Sequence, residues 1–456
     1  MSAWLFLLAW AATLADQLAH IPGAGAVAGV AIVLFLALEF PRQRRAIKVV
    51  GLALAAAGLA GVAAAPDPMA AMAAGVRRGA AYAAFFLALG ALRDAAERSA
   101  TVRRCGAHLV SQPAGRRYLA VTGGAHLFGM ILSYGAIDLM GAMVTRATRA
   151  AGPVRRLLMA AYRGFATMNC WSPLNIMTVV VSAAVPAADL RQVMPIAFVM
   201  AMLLLLAGWL VDRLEAADGA DGAPSATAER WPIHLRIVAI VGLVMVLAEA
   251  VAVFFATSLA TGVTAAVPVV GAAWTLAQLR RRRHMAAMFA RRLRSFHARL
   301  PAFRGEAALL AASGFMGVAL GAALPAGGLA AYLPGLPALL VPVLVPVVLT
   351  AASLMGLNPI AVVALVGAAV PDPAALGIAP AVLAFACMLG WGVSVGITPF
   401  SASALATARW TGADPWRVTA VWNAFYTAVA LTLACAAIAA AHMAWLPGFG
   451  EQVFSG

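Results

Sequence analysis

A chain of 456 residues with 64% hydrophobic and 11% charged side chains lacks the polar surface that a soluble fold of that length needs, because soluble domains carry about 25% charged residues. The formal net charge of +15 suggests a nucleic-acid partner at first sight. The arginines, however, sit in short clusters between apolar stretches, at 42–45, 103–104, 155–156 and 280–283, which is the pattern set by membrane insertion and argues against a nucleic-acid surface.

Taken in order, apolar stretches predict spans near 3–19, 21–40, 46–65 and 78–95. The N-terminus has no basic leader region and no small-residue cleavage site, so it is read as a retained first span. The basic segment 41–48 is expected in the cytoplasm, and the N-terminus with it. Residues 92–117 are polar, arginine-rich and on the same side. The next apolar stretch, 119–144, has Arg116 and Arg117 before it and Arg146 and Arg149 after it. A simple crossing would strand one pair outside, so a re-entrant hairpin is expected at about 117–147. Such backbone is tolerated where protein or a watery cavity shields it. Spans follow near 157–184 and 193–211, then a cytoplasmic linker at 212–234.

Further spans fall near 235–256 and 258–279, followed by a basic cytoplasmic stretch at 280–304 and a span near 305–323. The apolar segment 339–370 is interrupted by prolines and by Gly356-Leu-Asn-Pro359, and its flanks carry no arginine. It reads as a second hairpin, entering from outside. Spans near 378–409 and 417–442 leave a tail, 443–456, outside. Arg77, Arg78 and Arg191 are the exceptions to cytoplasmic placement. The expected fold is an all-α polytopic membrane protein with two inverted-topology repeats, each holding a re-entrant hairpin and a broken transmembrane helix. Scaffold helices are expected at 1–77 and 235–304, and transport repeats at 78–211 and 305–442. The first broken helix is placed at about 157–184 and the second at about 378–409.

The repeat is legible in the residues. Ser133-Tyr-Gly-Ala-Ile-Asp138 aligns with Ser353-Leu-Met-Gly-Leu-Asn358, at an offset of 353 − 133 = 220. Asn169-Cys-Trp-Ser-Pro-Leu-Asn175 aligns with Val395-Gly-Ile-Thr-Pro-Phe-Ser401, at 398 − 172 = 226. Pro173 and Pro399 each remove a backbone donor in mid-span and break the helix. Paired interrupted segments in two halves point to a midplane site between repeats. Ser133, Asp138, Ser172, Asn175, Ser353, Asn358, Thr398, Ser401 and Ser403 are the candidate substrate- and ion-binding residues, with sodium at Asp138 and Asn358 as a candidate. Small hydroxyls also join membrane helices to one another, so each has a structural reading too. Asp138 is singled out because an intramembrane acid costs about 2.5–3.5 kcal/mol unless it is served by water or a partner. It is expected either to carry the coupling ion or to cap its helix.

Other titratable groups receive plainer readings. His126 is weighed as a proton relay against a packed neutral histidine. Glu249 and Glu306 are assigned to the scaffold, and Asp16 to the interface. The isolated Cys105, Cys170, Cys387 and Cys435 imply no disulfide and no structural metal. No P-loop, HExxH, GxSxG or dinucleotide fingerprint in a suitable setting is present, so neither ATP-driven transport nor an enzyme is expected.

In the order of span, arginine-rich stretch, hairpin and broken span, then the same again, residues of about 78–440 resemble the ion transporter superfamily. Its members include divalent anion/sodium symporters, arsenite efflux permeases, citrate–metal symporters and a group of sodium/proton antiporters. The segment Met168-Asn-Cys-Trp-Ser-Pro-Leu-Asn175 is similar to the superfamily's helix break, with Asn175 at the asparagine position. Neither hairpin tip carries the symporters' Ser-Asn-Thr. The resemblance implies a homodimer held by the scaffold, with the transport part moving against it. The expected function is secondary active transport of a small anion, a carboxylate or oxyanion, coupled to protons or sodium by elevator-like alternating access. No other cofactor is expected. The partners are the small-molecule or ion substrate and membrane lipid. The expected location is a bacterial-type inner membrane, N-terminus cytoplasmic and C-terminus periplasmic. The alternatives are a sodium/proton antiporter using Asp138 and a non-transporting membrane scaffold.

Overall fold

Backbone buried in lipid must satisfy its own hydrogen bonds, and helices do so within one segment. The structure, a computed structural model, describes residues 1–147, 151–215, 231–325, 328, 335 and 337–445. Most of the 212–234 linker, much of the approach to the second hairpin and all of the tail beyond residue 445 lie outside the described residues. Among the described residues there is no strand, and eight helices are long and apolar enough to cross a membrane. The chain is an all-α, multi-pass membrane protein.

The first four helices are α1 (Ser2–Ala19), α2 (Ala24–Glu39), α3 (Arg45–Ala64) and α4 (Pro68–Glu97). α1 and α2 form an antiparallel pair with the rings of Phe6 and Phe35 stacked at 4.6 Å. Asp67 caps α4 by accepting the Ala70 N–H at 3.0 Å, and Pro68 follows it, a strong helix start. The helix therefore runs on through Arg77 and Arg78, and the division expected at 77/78 falls inside one element. Arg77 and the Asp16 carboxylate both lie against Gly25 of α2, where a Cβ would collide with the arginine.

Ser99 caps the amphipathic α5 (Ala100–Val110), which leads into a helical hairpin, α6 (Ala114–Leu132) and α7 (Gly135–Ala147). α8 (Ala151–Met168) and α9 (Ile176–Ala184) are the halves of an interrupted span, and α10 (Leu190–Glu215) closes this unit. Then come α11 (Pro232–Phe254), α12 (Leu259–Leu279), the basic α13 (Met285–Arg299) and α14 (Arg304–Ala323). A second hairpin follows, α15 (Leu340–Leu354) and α16 (Pro359–Ala369), then a second interrupted span, α17 (Pro380–Val395) and α18 (Ala402–Thr411). A π-helical turn over Arg417–Val421 precedes α19 (Ala424–Ala444). The two units are not strictly alike: α5 passes directly into its hairpin, whereas α14 stands between α13 and the second one.

Packing divides along similar lines. α14 lies against α3 and α4, and α12 against α4 and α11. In the other body α6 packs on α8, α15 on α17, α16 on α9, and α10 on both α8 and α17, and the two bodies meet where α14 packs on α16. The two interrupted spans meet at Gly392 of α17, where a Cβ would run into the Cys170 sulfur. A small residue is required for so close an approach, the usual device of membrane helix packing.

Candidate functional site

Each interruption leaves backbone groups that the helix no longer pairs, and the chain supplies caps from its own side chains. In the first break the Asn175 side-chain oxygen accepts the Met177 N–H at 2.9 Å and starts α9. Its amide nitrogen donates to the Asn169 side-chain oxygen at 2.7 Å, while the Asn169 amide donates to the Phe165 carbonyl at 2.7 Å. In the second break Ser401 caps α18, its hydroxyl accepting the Ala404 N–H at 3.1 Å. The Ser401 and Ser403 hydroxyls are 3.0 Å apart, and the Thr398 hydroxyl accepts the Phe400 N–H at 3.4 Å. At the second hairpin tip Asn358 caps α16 by accepting the Ile360 N–H at 3.0 Å. Gly356 makes that turn with φ 88°, and Ser133 makes the first turn with φ 51°.

These elements surround one cavity of about 510 Å³. Ser133 and Tyr134 reach it from the first tip, and Gly356 to Ile360 from the second. Asn169 and Leu174 to Ile176 line it from one break, and Thr398 with Phe400 to Ser403 from the other. Ile47, Phe86 and Leu309, from α3, α4 and α14, form the opposite wall. Among the described residues no charged side chain lines it, whereas Phe86, Tyr134, Phe165, Trp391 and Phe400 do. The N-termini of α9, α16 and α18 all begin at lining residues. Helix N-termini present partial positive charge and N–H groups, a field that favours anions.

Of the nine residues singled out in the sequence, Ser133, Asn175, Asn358, Thr398, Ser401 and Ser403 line this cavity. The other three are elsewhere. Ser172 is fully buried in the chain turn, accepting the Leu174 N–H at 3.3 Å through its hydroxyl and the Thr178 hydroxyl at 2.9 Å through its carbonyl. Its neighbour Pro173 faces a separate groove with Trp171, Arg191 and Glu249. Ser353 is fully buried in α15 and its hydroxyl has no hydrogen-bond partner among the described residues. Asp138 lies one helical turn into α7, accepting from Arg409 at 2.7 Å and from the Trp410 indole at 2.9 Å. Its carboxylate is thus neither at the tip nor a cap for its own helix.

The tip register explains that displacement. The two residues with positive φ, Ser133 and Gly356, differ by 356 − 133 = 223, while the caps Asn175 and Ser401 differ by 401 − 175 = 226. The offset of 220 therefore slides the hairpins by about a helical turn, and Asn358 is not the mate of Asp138. His126 accepts the Trp171 indole N–H at 2.9 Å and lies 3.2 Å from the Thr167 hydroxyl, the packed arrangement. Glu249 pairs with Arg191 at 2.8 Å.

Sequence reasoning passed over Asn169, Tyr134 and, above all, Arg163. The Arg163 side chain is buried in α8; it donates to Asn423 at 2.9 Å, Tyr118 at 3.2 Å and the Gly208 carbonyl at 3.3 Å. Asn423 in turn donates to the Gly396 carbonyl at 2.7 Å, one of the groups freed by the second break. The signal was present: a lone arginine inside an apolar span is functional or partnered by default.

Solved structures share this fold. The YdaH transporter of Alcanivorax borkumensis, described as having an unusual topology, aligns at a TM-score of 0.50 and 17% identity, covering 80% of this chain and 85% of that one. MtrF of Neisseria gonorrhoeae, from a class of antimetabolite efflux pumps, aligns at 0.52 and 13% identity, covering 81% of each. No protein-family model and no curated sequence matches the chain. At these identities the likeness is one of fold.

Proposed function

We propose that the chain is a secondary active transporter for a small organic anion, a carboxylate with an apolar or aromatic body. The observation that carries this reading is the convergence of three half-helix N-termini on a cavity with aromatic walls and, among the described residues, no charged side chain. Carboxylate oxygens would sit at the N-termini, where each favourable end contributes about 0.3–1 kcal/mol. The five rings would cover the body of the substrate, and a bare oxyanion would leave them unused. Transporter neighbours of the same fold support the reading. Asp138, paired with Arg409 outside the cavity, lends no support to an antiporter that exchanges ions there.

The hairpin and broken helix occurring twice support two repeats of inverted topology, which would give alternating access around one site. In this scheme α6 to α10 and α15 to α19 move against α1 to α4 and α11 to α14. A proton or sodium gradient drives the step, in a homodimer of an inner membrane. The test is uptake into proteoliposomes of an aromatic carboxylate, against the amine of the same body, under imposed proton and sodium gradients. Carboxylate uptake that needs one gradient is expected, with KM raised about fivefold or more in Ser401→Ala, the loss of one hydrogen bond of about 1 kcal/mol. Equal uptake of the amine would sink the anion reading. An absence of flux for any anion tried would favour a non-transporting scaffold.

A further inference from the structure

Helix α3 begins with three cations where its backbone already presents positive charge. Arg44 stands at the N-cap position without a capping hydrogen bond, Arg45 opens the helix, Lys48 follows, and the first turn holds no acid. Cations are disfavoured at a helix N-terminus and anions favoured, so the arrangement is self-repelling unless an anion joins it. Arg44 and Arg45 are exposed. Nearby Arg42 and Arg304 are turned toward Glu39, at 3.7 and 3.9 Å, and Arg44 interacts electrostatically with Glu306 of α14, so three cations at the α3 terminus are only partly compensated.

From this terminus an apolar groove of about 400 Å³ runs along α3, between it and α2, α4 and α14. Phe40 and Lys48 lie at its basic end, Gly51, Leu52 and Ala55 along it, and Leu59 farther down α3. Lys48 to Leu59 is eleven residues of helix, roughly 16 Å at 1.5 Å each, which is about one leaflet of a hydrocarbon core of ~30 Å. Gly51 opens the groove: a Cβ there would meet nothing within 4 Å.

We infer that this groove holds one acyl chain of an anionic phospholipid, with its phosphate at the α3 N-terminus among Arg44, Arg45 and Lys48. Basic pockets between transmembrane helices bind anionic headgroups in this way, and the uncapped N–H groups supply further donors. A second copy of the chain is the weaker occupant. A two-fold interface brings the same patch of both subunits together, so the two basic ends would meet. The groove is separate from the transport cavity, but α3 is the wall between them, and Ile47 lines both. The bound lipid thus holds the position of a cavity wall.

The test uses the full chain purified in detergent and stripped of lipid. Phosphatidylglycerol or phosphatidylcholine with the same acyl chains is added back, and retained lipid is counted by native mass spectrometry beside the thermal midpoint. Phosphatidylglycerol should be retained at least fivefold better and raise the midpoint more. Gly51→Leu should fill the groove and abolish retention while folding normally, since it enters open space and leucine is a better helix former than glycine. Lys48→Gln, which leaves the groove open, should remove the preference for phosphatidylglycerol. Equal retention of the two lipids by the unaltered chain, or undiminished retention in Gly51→Leu, would overturn the inference. So would an unaltered chain that retains no lipid and is a dimer lost in Gly51→Leu, because that result gives the face to a second copy.

Discussion

At the scale of single residues, most of the polar atoms around the cavity are already engaged in repairing broken backbone. Asn175 and Ser401 each accept an N–H at the start of a half-helix, and loss of such a cap costs about 1 kcal/mol. Asn175→Ala should therefore lower the thermal midpoint by a few degrees and, with the proposed carboxylate held at the α9 N–H groups, also raise KM. A shift in the midpoint with KM unchanged would make Asn175 structural alone. Arg163 acts at one remove, holding Asn423 on the Gly396 carbonyl. Removing one member of a buried charged network costs about 3–5 kcal/mol. Arg163→Met should thus reduce folded yield severely, and Arg163→Lys should recover it in part, measured by fluorescence-detected gel filtration. Asp138 is different: its side chain is 48% exposed and that of Arg409 67%, and pairs of that kind contribute about 0–1 kcal/mol. Asp138→Asn is expected to leave both the fold and the pH profile of transport near those of the unaltered protein. Loss of the pH dependence would assign Asp138 the coupling role.

At the scale of elements, the two hairpins differ in how they turn. Gly356 accepts a positive φ at no steric cost, whereas Ser133 holds φ 51° with a side chain attached. Strain of this sort costs about 1–3 kcal/mol and gathers at functional sites. Ser133→Gly should therefore raise the thermal midpoint while weakening substrate affinity, because the hydroxyl at the cavity is lost. A variant with both stability and affinity reduced would mean that the serine side chain holds the turn together. The interrupted spans were legible from Ser172-Pro173 and Thr398-Pro399. Which flank of each break faces the cavity was not, since Pro173 and Asn175 are two residues apart and line different spaces.

For the whole molecule, arginine placement predicts one topology. Cysteine labelling in intact and permeabilised cells should find Ala100, which opens α5, cytoplasmic and Ala374, after α16, periplasmic. Both on one side would mean that the two hairpins are inserted alike, and the inverted relation between the units would fail. The expected cytoplasmic Ala220 and periplasmic Ser455 lie outside the described residues.

Helix positions, the two hairpins and the two breaks follow from hydropathy, arginine flanks and proline, because lipid forces each span to satisfy its backbone locally. Six cavity residues followed from the same local logic, since caps and tips are short-range features. Long-range partners do not. Arg409 reaches Asp138 across 271 positions and Asn423 meets Arg163 across 260, and neither pairing leaves a periodic trace in the chain. The hairpin register failed for a related reason: Ser353 and Asn358 imitate Ser133 and Asp138 in composition, yet only backbone conformation shows where each turn lies. The groove along α3 likewise exists only once α2, α4 and α14 stand beside it. Its basic start reads as a topological signal in the sequence, and as an anion site only where an uncapped helix end meets an apolar channel.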